Sequence, residues 1–405
     1  LVKVDTPSQL GNYSYTVWDT KLATTSKPKF LVQLCCYAQM LETIQGVLPK
    51  NVCVALGNGE YENFLLQDCI YFVRQLQQEF FTYQQQFNSE HMPCPGDFKE
   101  FAHWSEYASQ VLLDKDHLSQ VAGINRKQIK KLNQAGIHTM AELATGNLES
   151  VKGINLEVLT RLQQQAYFQD ISRDTDLPQF KVIENNNKFG LAHLPPHCSA
   201  DIFFDIEGYP LEENLEYLWG ITYFNEAGER EFKDFWAHTK TEEKHAFSDF
   251  ISWTYKRWQD NPNMHIYHYA NYEIAACTRL AAEFGVYEYE VDNLLRNNVF
   301  IDLYSIVKNS IILGADSYSI KKVELLYRGK RNTNVGNGGD SVIVYDNWRI
   351  LHSLGQDSYS WQKSDILNDI RQYNIDDCNS TQELVVWLRN LQQEHCISYQ
   401  APAIV

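Results

Sequence analysis

The spacing of apolar residues changes several times along the chain, and each change marks an element. Tyr13-Ser14-Tyr15-Thr16-Val17-Trp18 is strand-like, whereas Phe30 to Gln45 places apolar residues at helical intervals. Mixed, Gln-rich segments continue to about residue 90, so the opening stretch is predicted to be an α/β piece. His91-Met92-Pro93-Cys94-Pro95-Gly96 is turn-forming and predicts a boundary. From residue 198 onward the pattern turns to strands at Asp201 to Ile206, Tyr217 to Phe224, Glu231 to Trp236 and Met264-His265-Ile266-Tyr267. A helix is predicted over Tyr272 to Phe284, and 298 to 392 reads as mainly helical.

Between these two regions lies an internal repeat. Val121-Ala122-Gly123-Ile124-Asn125 recurs as Val151-Lys152-Gly153-Ile154-Asn155, and Ile129 and Leu132 are matched by Leu159 and Leu162 at the same offset. Two hairpin-plus-helix units are therefore expected. The stretch after them has weak apolar periodicity and predicts a linker with a short strand. The resulting division is an α/β region over 1–95, a connector over 96–117, the repeat module over 118–170, a linker over 171–197 and a second α/β domain with a mixed sheet over 198–395.

Composition narrows the function classes. The chain has 405 residues, 44% hydrophobic, enough for more than one core. A net charge of −16 excludes a generally basic nucleic-acid coat, so any nucleic-acid contact must come from local patches. The nine cysteines form no C-x-x-C pair and are odd in number, which points to a reducing cytoplasm. No apolar run approaches transmembrane length and no secretory leader opens the sequence, so a soluble, cytoplasmic protein without membrane contact is expected. The opening residues read as the middle of a strand pair, which predicts that the sequence is a fragment of a longer chain.

The chemistry concentrates in carboxylates. Asp205-Ile206-Glu207 closes the apolar run Ile202-Phe203-Phe204, and alternate strand residues share a face. Tyr373 and Asp377 are one helical turn apart, so both can lean over that strand. Asp376 lies about 100° around the helix from its neighbour and is left out of the set. Glu273 follows a strand-end histidine motif in His268-Tyr269-Ala270-Asn271-Tyr272-Glu273, with Asn271 and Asp302 as competitors for its role. Such oxygen ligands suit Mg²⁺ or Mn²⁺ and favour a pair of cations about 4 Å apart that hydrolyse a phosphodiester.

This ordered set resembles the DEDD exonucleases of the ribonuclease H-like superfamily in their tyrosine variant. Ile202 to Gly208, His265 to Glu273, Phe300 to Leu303 and Tyr373 to Leu388 more closely resemble the YprB-type ribonuclease H-like domain. The resemblance implies Asp205, Glu207, Glu273 and Asp377 as metal ligands, Tyr373 as the group that orients the attacking water, and 3′-to-5′ exonucleolytic cleavage of DNA or RNA. The chain departs from the commoner second motif in carrying Glu273 where that motif ends in Asp.

Two further constellations complete the reading. Asp19-Thr20-Lys21 at a strand end, followed by Gln33 and Tyr37 four residues apart on a helix, resembles the later half of a RecB-like PD-(D/E)XK nuclease domain. That pattern also needs an acidic ligand upstream, expected before Leu1, so the second site is incomplete. Relatives often carry an iron–sulfur cluster, and its absence is expected here because Lys99 to Ala108 has no cysteine.

The repeat resembles tandem helix-hairpin-helix units, in which a glycine hairpin ahead of a helix offers backbone N–H groups to phosphate. Gly123, Arg126, Lys127, Lys130, Lys131 and Gly153 are its candidate nucleic-acid contacts. Gly336-Asn337-Gly338-Gly339 lacks the companion residues of a phosphate cradle and reads as a loop. The alternative function is a non-catalytic nucleic-acid-binding module that guides or docks a helicase, since relatives with this arrangement can be joined to one. No Walker motif is present, so helicase activity is not expected in these residues.

Overall fold

A computed structural model describes the chain except residues 91, 99, 185–188, 212, 213, 329–337 and 402–405. It divides into two compact units, Leu1–Cys94 and Pro95–Val405.

In the first unit β1 (Val2–Val4) pairs antiparallel with β2 (Ser14–Lys21). β2 then runs parallel to β3 (Asn51–Leu56), and β3 pairs antiparallel with β4 (Tyr61–Leu65). The parallel β2/β3 pair requires a crossover, which α1 (Pro28–Gln45) supplies. Proline at the start of α1 costs it no hydrogen bond, and Gly46, at φ 71°, ends it in the left-handed region. Phe30, Leu34, Ala38 and Leu41 of α1 bury against Val17, Val52 and Val54. The predicted first strand is longer than its apolar run. It continues to Lys21, because pairing with β3 extends through Thr20 and Lys21. α2 (Ile70–Gln86) closes the unit with Ile70 and Val73 in its core.

The second unit begins with α3 (Ser105–Asp114) and the repeat, which folds as α4 (Arg126–Gln134), α5 (Met140–Thr145) and α6 (Leu156–Ile171). Asn125 and Asn155 cap α4 and α6 through their side chains, so the matched asparagines of the repeat start its two matched helices. Val121, Ile129, Leu132, Val151, Leu159 and Leu162, all members of the repeat, form one buried cluster. Each hairpin-plus-helix is too small to bury its apolar face alone, and the two share a core.

The stretch after the repeat is more ordered than its weak periodicity implies. β5 (Phe180–Val182) pairs antiparallel with β11 (Ile311–Leu313), and Val182, Leu191 and Leu194 are buried in the core of the following domain. β5 is a short strand within the stretch expected to hold one, whereas β11 falls in the region read as mainly helical and is too short to show a period of its own.

The main sheet is built from β6 (Ile202–Tyr209), β7 (Leu215–Phe224), β8 (Arg230–Trp236), β9 (Ile266–His268) and β10 (Phe300–Asp302), in the order β10-β9-β6-β7-β8. β6, β7 and β8 form an antiparallel meander, while β9 and β10 run parallel to β6. The helices are α7 (Lys240–Asp260), α8 (Tyr272–Phe284), α9 (Glu288–Arg296), α10 (Leu303–Ser310), α11 (Ile320–Val323), α12 (Gly338–Ser353) and α13 (Asp365–Glu394).

Strand alternation sorts the two faces of this sheet. Phe204, Ile206, Trp219 and Ile221 pack with Phe247 and Phe250 of α7 and Ala276 and Leu280 of α8. On the other face Phe203 packs in a cluster with Leu384, Val385 and Leu388 of α13, while Leu218 clusters with Leu367 and Ile370 of the same helix. Asp205 and Glu207 share that α13 face, with Gly220 and Leu218 as their partners on β7. Tyr318 is buried, and Tyr327 and Trp387 pack partly buried in the same cluster. Gly336 and Asn337 lie outside the described residues, whereas Gly338 and Gly339 open α12.

Candidate metal centre

β6 ends its regular pairing at a register shift between Glu207 and Gly208, just beyond the two carboxylates. α13 crosses this strand end. Gly220, opposite Asp205, is what allows the approach: a Cβ there would lie 1.7 Å from Asn374 Oδ1. Cys378 Sγ rests 3.2 Å from the Gly220 carbonyl on the same contact. The result brings Asp205, Glu207 and Asp377 together, each offering a carboxylate oxygen within 4.8 Å of the others. Three carboxylate oxygens at that spacing can hold one metal ion, whose charge would offset their mutual repulsion.

The surrounding groups hold the carboxylates in place. Asn374, fully buried, donates from Nδ2 to Asp205 Oδ2 at 2.8 Å. Ser341, in the first turn of α12, donates to Glu207 Oε2 at 2.7 Å. Glu207 is 5% exposed, and burial pushes its carboxyl up to about 8, with the Asp377 charge adding to the rise. The Ser341 hydroxyl, the Asn374 amide and the Lys321 charge oppose that rise without cancelling it. A cation held by these carboxylates would oppose the rise, since it stabilises the ionised form. Tyr373 is buried one turn before Asp377, and Lys321 Nζ lies 5.7 Å from its ring centroid.

The fourth sequence candidate is placed differently. Glu273 is buried in the first turn of α8, but its carboxylate is not part of the three-residue cluster. Glu273 Oε2 instead stands 3.5 Å from Nδ1 of His268, itself fully buried. The competitors differ again. Asp302 Oδ1 accepts from the Ala270 and Tyr304 amides at 2.9 Å each and caps α10, while Asn271 precedes α8 without a side-chain cap. Asp376 points away from the cluster into an ion pair with Arg328, as its position around the helix requires. Asn374 and Ser341 are the residues that sequence reasoning missed. Asn374 was legible as the neighbour of Tyr373, but Ser341 is 134 positions from its partner and carried no signal.

In the first unit, Lys21 Nζ stands 2.8 Å from Asp19 Oδ2 and 2.7 Å from Gln33 Oε1, and Gln33 Nε2 is 2.7 Å from the Tyr37 hydroxyl. The four side chains thus form one hydrogen-bonded chain across β2 and α1. Among the described residues no metal-holding cluster includes Asp19.

In the repeat module Gly123 sits at φ 79° with open space where a Cβ would be, and Arg126, Lys127 and Lys130 are exposed beside it. Lys131 is placed otherwise: its ammonium donates to the Gly153 carbonyl and occupies the space beside that glycine. The second hairpin is therefore tied to α4 through Lys131.

Comparison with known proteins bears on the second unit. Residues 202–389 match the family model of the RNase H superfamily, a span that runs from the first residue of β6 into α13 and contains all three clustered carboxylates. The C-terminal region is thus a ribonuclease H-like domain, and that superfamily suggests a nuclease. No curated protein and no solved structure matches the chain. No helix among the described residues is long and apolar enough to cross a membrane.

Proposed function

We propose that this protein is a metal-dependent nuclease that hydrolyses phosphodiester bonds of DNA or RNA, with 3′-to-5′ exonucleolytic cleavage of the DEDD type favoured. The observation that carries this reading is the convergence of Asp205, Glu207 and Asp377 on one point at the end of β6, inside the ribonuclease H-like span. Asp205, Glu207 and Asp377 are the proposed ligands, and their all-oxygen donor set suits Mg²⁺ or Mn²⁺. When bound, such ions supply charge neutralisation at the phosphate and a water of lowered pKa. Tyr373 orients that water; an ordinary phenol, with a pKa near 10, is a poor base at neutral pH. Glu273 is retained as a ligand of a second ion, which requires its side chain to leave His268.

The remaining regions are read as a partial RecB-like PD-(D/E)XK region, with Asp19, Lys21, Gln33 and Tyr37 as its incomplete site, and a helix-hairpin-helix module that grips a phosphate backbone at Gly123, Arg126, Lys127 and Lys130. The position of Glu273 against His268 favours a second reading, a nucleic-acid-binding module without catalysis that guides a helicase. End-labelled single-stranded and duplex DNA and RNA, incubated with Mg²⁺, Mn²⁺ or chelator, separate the two. Cleavage that needs metal and falls on the order of 100-fold or more in Asp205→Asn and Asp377→Asn supports the nuclease. Binding without digestion under every condition supports the guide, and metal-dependent digestion untouched by either substitution overturns the assigned site.

A further inference from the structure

Lys321 lies in α11, a four-residue helix with no obvious pattern of its own. Its position is nevertheless tightly fixed. Three residues earlier, the Tyr318 hydroxyl is 2.7 Å from Gln165 Oε1 of α6 and 3.2 Å from both the Ile311 carbonyl and the Leu313 amide of β11. Gln165 Nε2 in turn donates to the Leu313 carbonyl at 2.7 Å. On the far side, Val323 and Glu324 are buried. The segment that carries Lys321 is thus clamped at both ends by buried groups, and its ammonium lies 5.7 Å from the ring centroid of Tyr373, one helical turn before Asp377.

The neighbouring cations are directed at carboxylates away from the site. Lys322 pairs with Asp316 at 3.3 Å, Arg328 with Asp376 and Glu383, and Arg371 with Asp234. All of these carboxylates lie outside the metal cluster. Lys321 differs in direction: its ammonium sits over the residue proposed to orient water and acts electrostatically on Glu207.

We propose that Lys321 is a substrate-contacting residue, whose ammonium holds a non-bridging oxygen of the scissile phosphate beside Tyr373 and offsets the charge that builds on that phosphate during attack. This rests on the nuclease reading. The charge balance gives the reason. A phosphodiester enters with one negative charge, and attack by hydroxide adds a second on the pentacovalent phosphorus before the leaving oxygen departs. A fixed cation costs nothing to reorganise at that moment, so its effect falls on turnover more than on binding.

The same clamp gives Lys321 a mechanical connection to the hairpin module. Gln165 Nε2 also donates to Gln169 Oε1 at 3.0 Å. Gln169 accepts from the Ala122 amide and donates to the Gln120 carbonyl, both at 2.8 Å. The first hairpin and the segment carrying Lys321 are therefore joined by one hydrogen-bonded chain.

The test compares the full chain with Lys321→Met and Lys321→Arg. Turnover of end-labelled DNA and RNA is measured alongside Mn²⁺ affinity in the absence of nucleic acid. The expected result is a loss of kcat on the order of 100-fold in Lys321→Met with a small change in KM, and partial recovery in Lys321→Arg. Mn²⁺ affinity should be unchanged or tighter in Lys321→Met, because a like charge has been removed from beside the carboxylates. Equal kcat in parent and Lys321→Met overturns the proposal while leaving the nuclease reading intact. Loss of Mn²⁺ binding together with kcat assigns Lys321 a merely structural role and also overturns it. A parent that binds Mn²⁺ but cleaves nothing overturns the nuclease reading, and this inference with it.

Discussion

Removing the charge of Glu207 should change how the second unit responds to pH. Its carboxyl is held at about 8 by burial and by Asp377, against about 4.5 when the chain is unfolded. The folded state therefore binds this proton more tightly. Its contribution to stability is fully present below about 4.5 and is lost as pH rises through about 8. Between pH 6 and 8.5 the Glu207 proton is almost fully bound at the start and mostly released at the end. Integrating that difference gives a loss of about 2.5 kcal/mol. For a unit of this size that is a fall in Tm of roughly 5 °C.

Thermal unfolding in chelator, followed by near-ultraviolet circular dichroism and by hydrogen exchange of the β6 and β7 amides, measures it directly. Glu207→Gln should lose most of the fall. Other titrating groups, such as His238, held down to about 4 by burial, cancel in the comparison of parent and variant. Mn²⁺ should likewise flatten the parent's pH dependence, since the ion replaces the proton as the partner of the carboxylate. A Glu207→Gln variant whose Tm falls as much as the parent's between pH 6 and 8.5 would refute the claim that Glu207 carries the charge strain of this site.

Two other outcomes follow from the packing around the site and the hairpins. Gly220→Ala places a Cβ 1.7 Å from Asn374 Oδ1 and 2.8 Å from the Phe232 ring, so Asn374 must give up the place from which it donates to Asp205. Destabilisation of about 1–3 kcal/mol and weaker Mn²⁺ binding are expected, and a variant with the parent's Tm and Mn²⁺ affinity would show that the close contact does not hold the site. In the repeat module, Lys127→Glu combined with Lys130→Glu should weaken nucleic-acid binding and lower the salt slope by roughly one to two. An unchanged slope rejects the patch, and Lys131 is spared because it ties the second hairpin to α4.

The elements with long periods were legible in the chain. The helix over Tyr272 to Phe284, the strands that became β6, β7 and β8, and the matched helices of the repeat all follow from local pattern. β10 and β11 did not, because they fall in a stretch that reads as mainly helical and their pairing comes from distant chain. The segment after the repeat looked like a linker for the same reason: its buried residues Val182, Leu191 and Leu194 are scattered and gain their meaning only from the core they enter.

The candidate site divides along the same line. Local geometry alone places Asp205 and Glu207 on one strand face and Tyr373 and Asp377 one helical turn apart, since strand and helix periods are properties of the backbone. That Asp205, Glu207 and Asp377 meet is a tertiary fact, made possible by a glycine at 220 whose missing Cβ admits α13. The third dimension also decided what spacing could not. It set Glu273 against His268, drew Ser341 and Asn374 onto the carboxylates, and brought Lys321 over Tyr373. Each of these contacts joins residues from different elements, so its energy depends on how helices dock on the sheet and leaves no trace in local pattern.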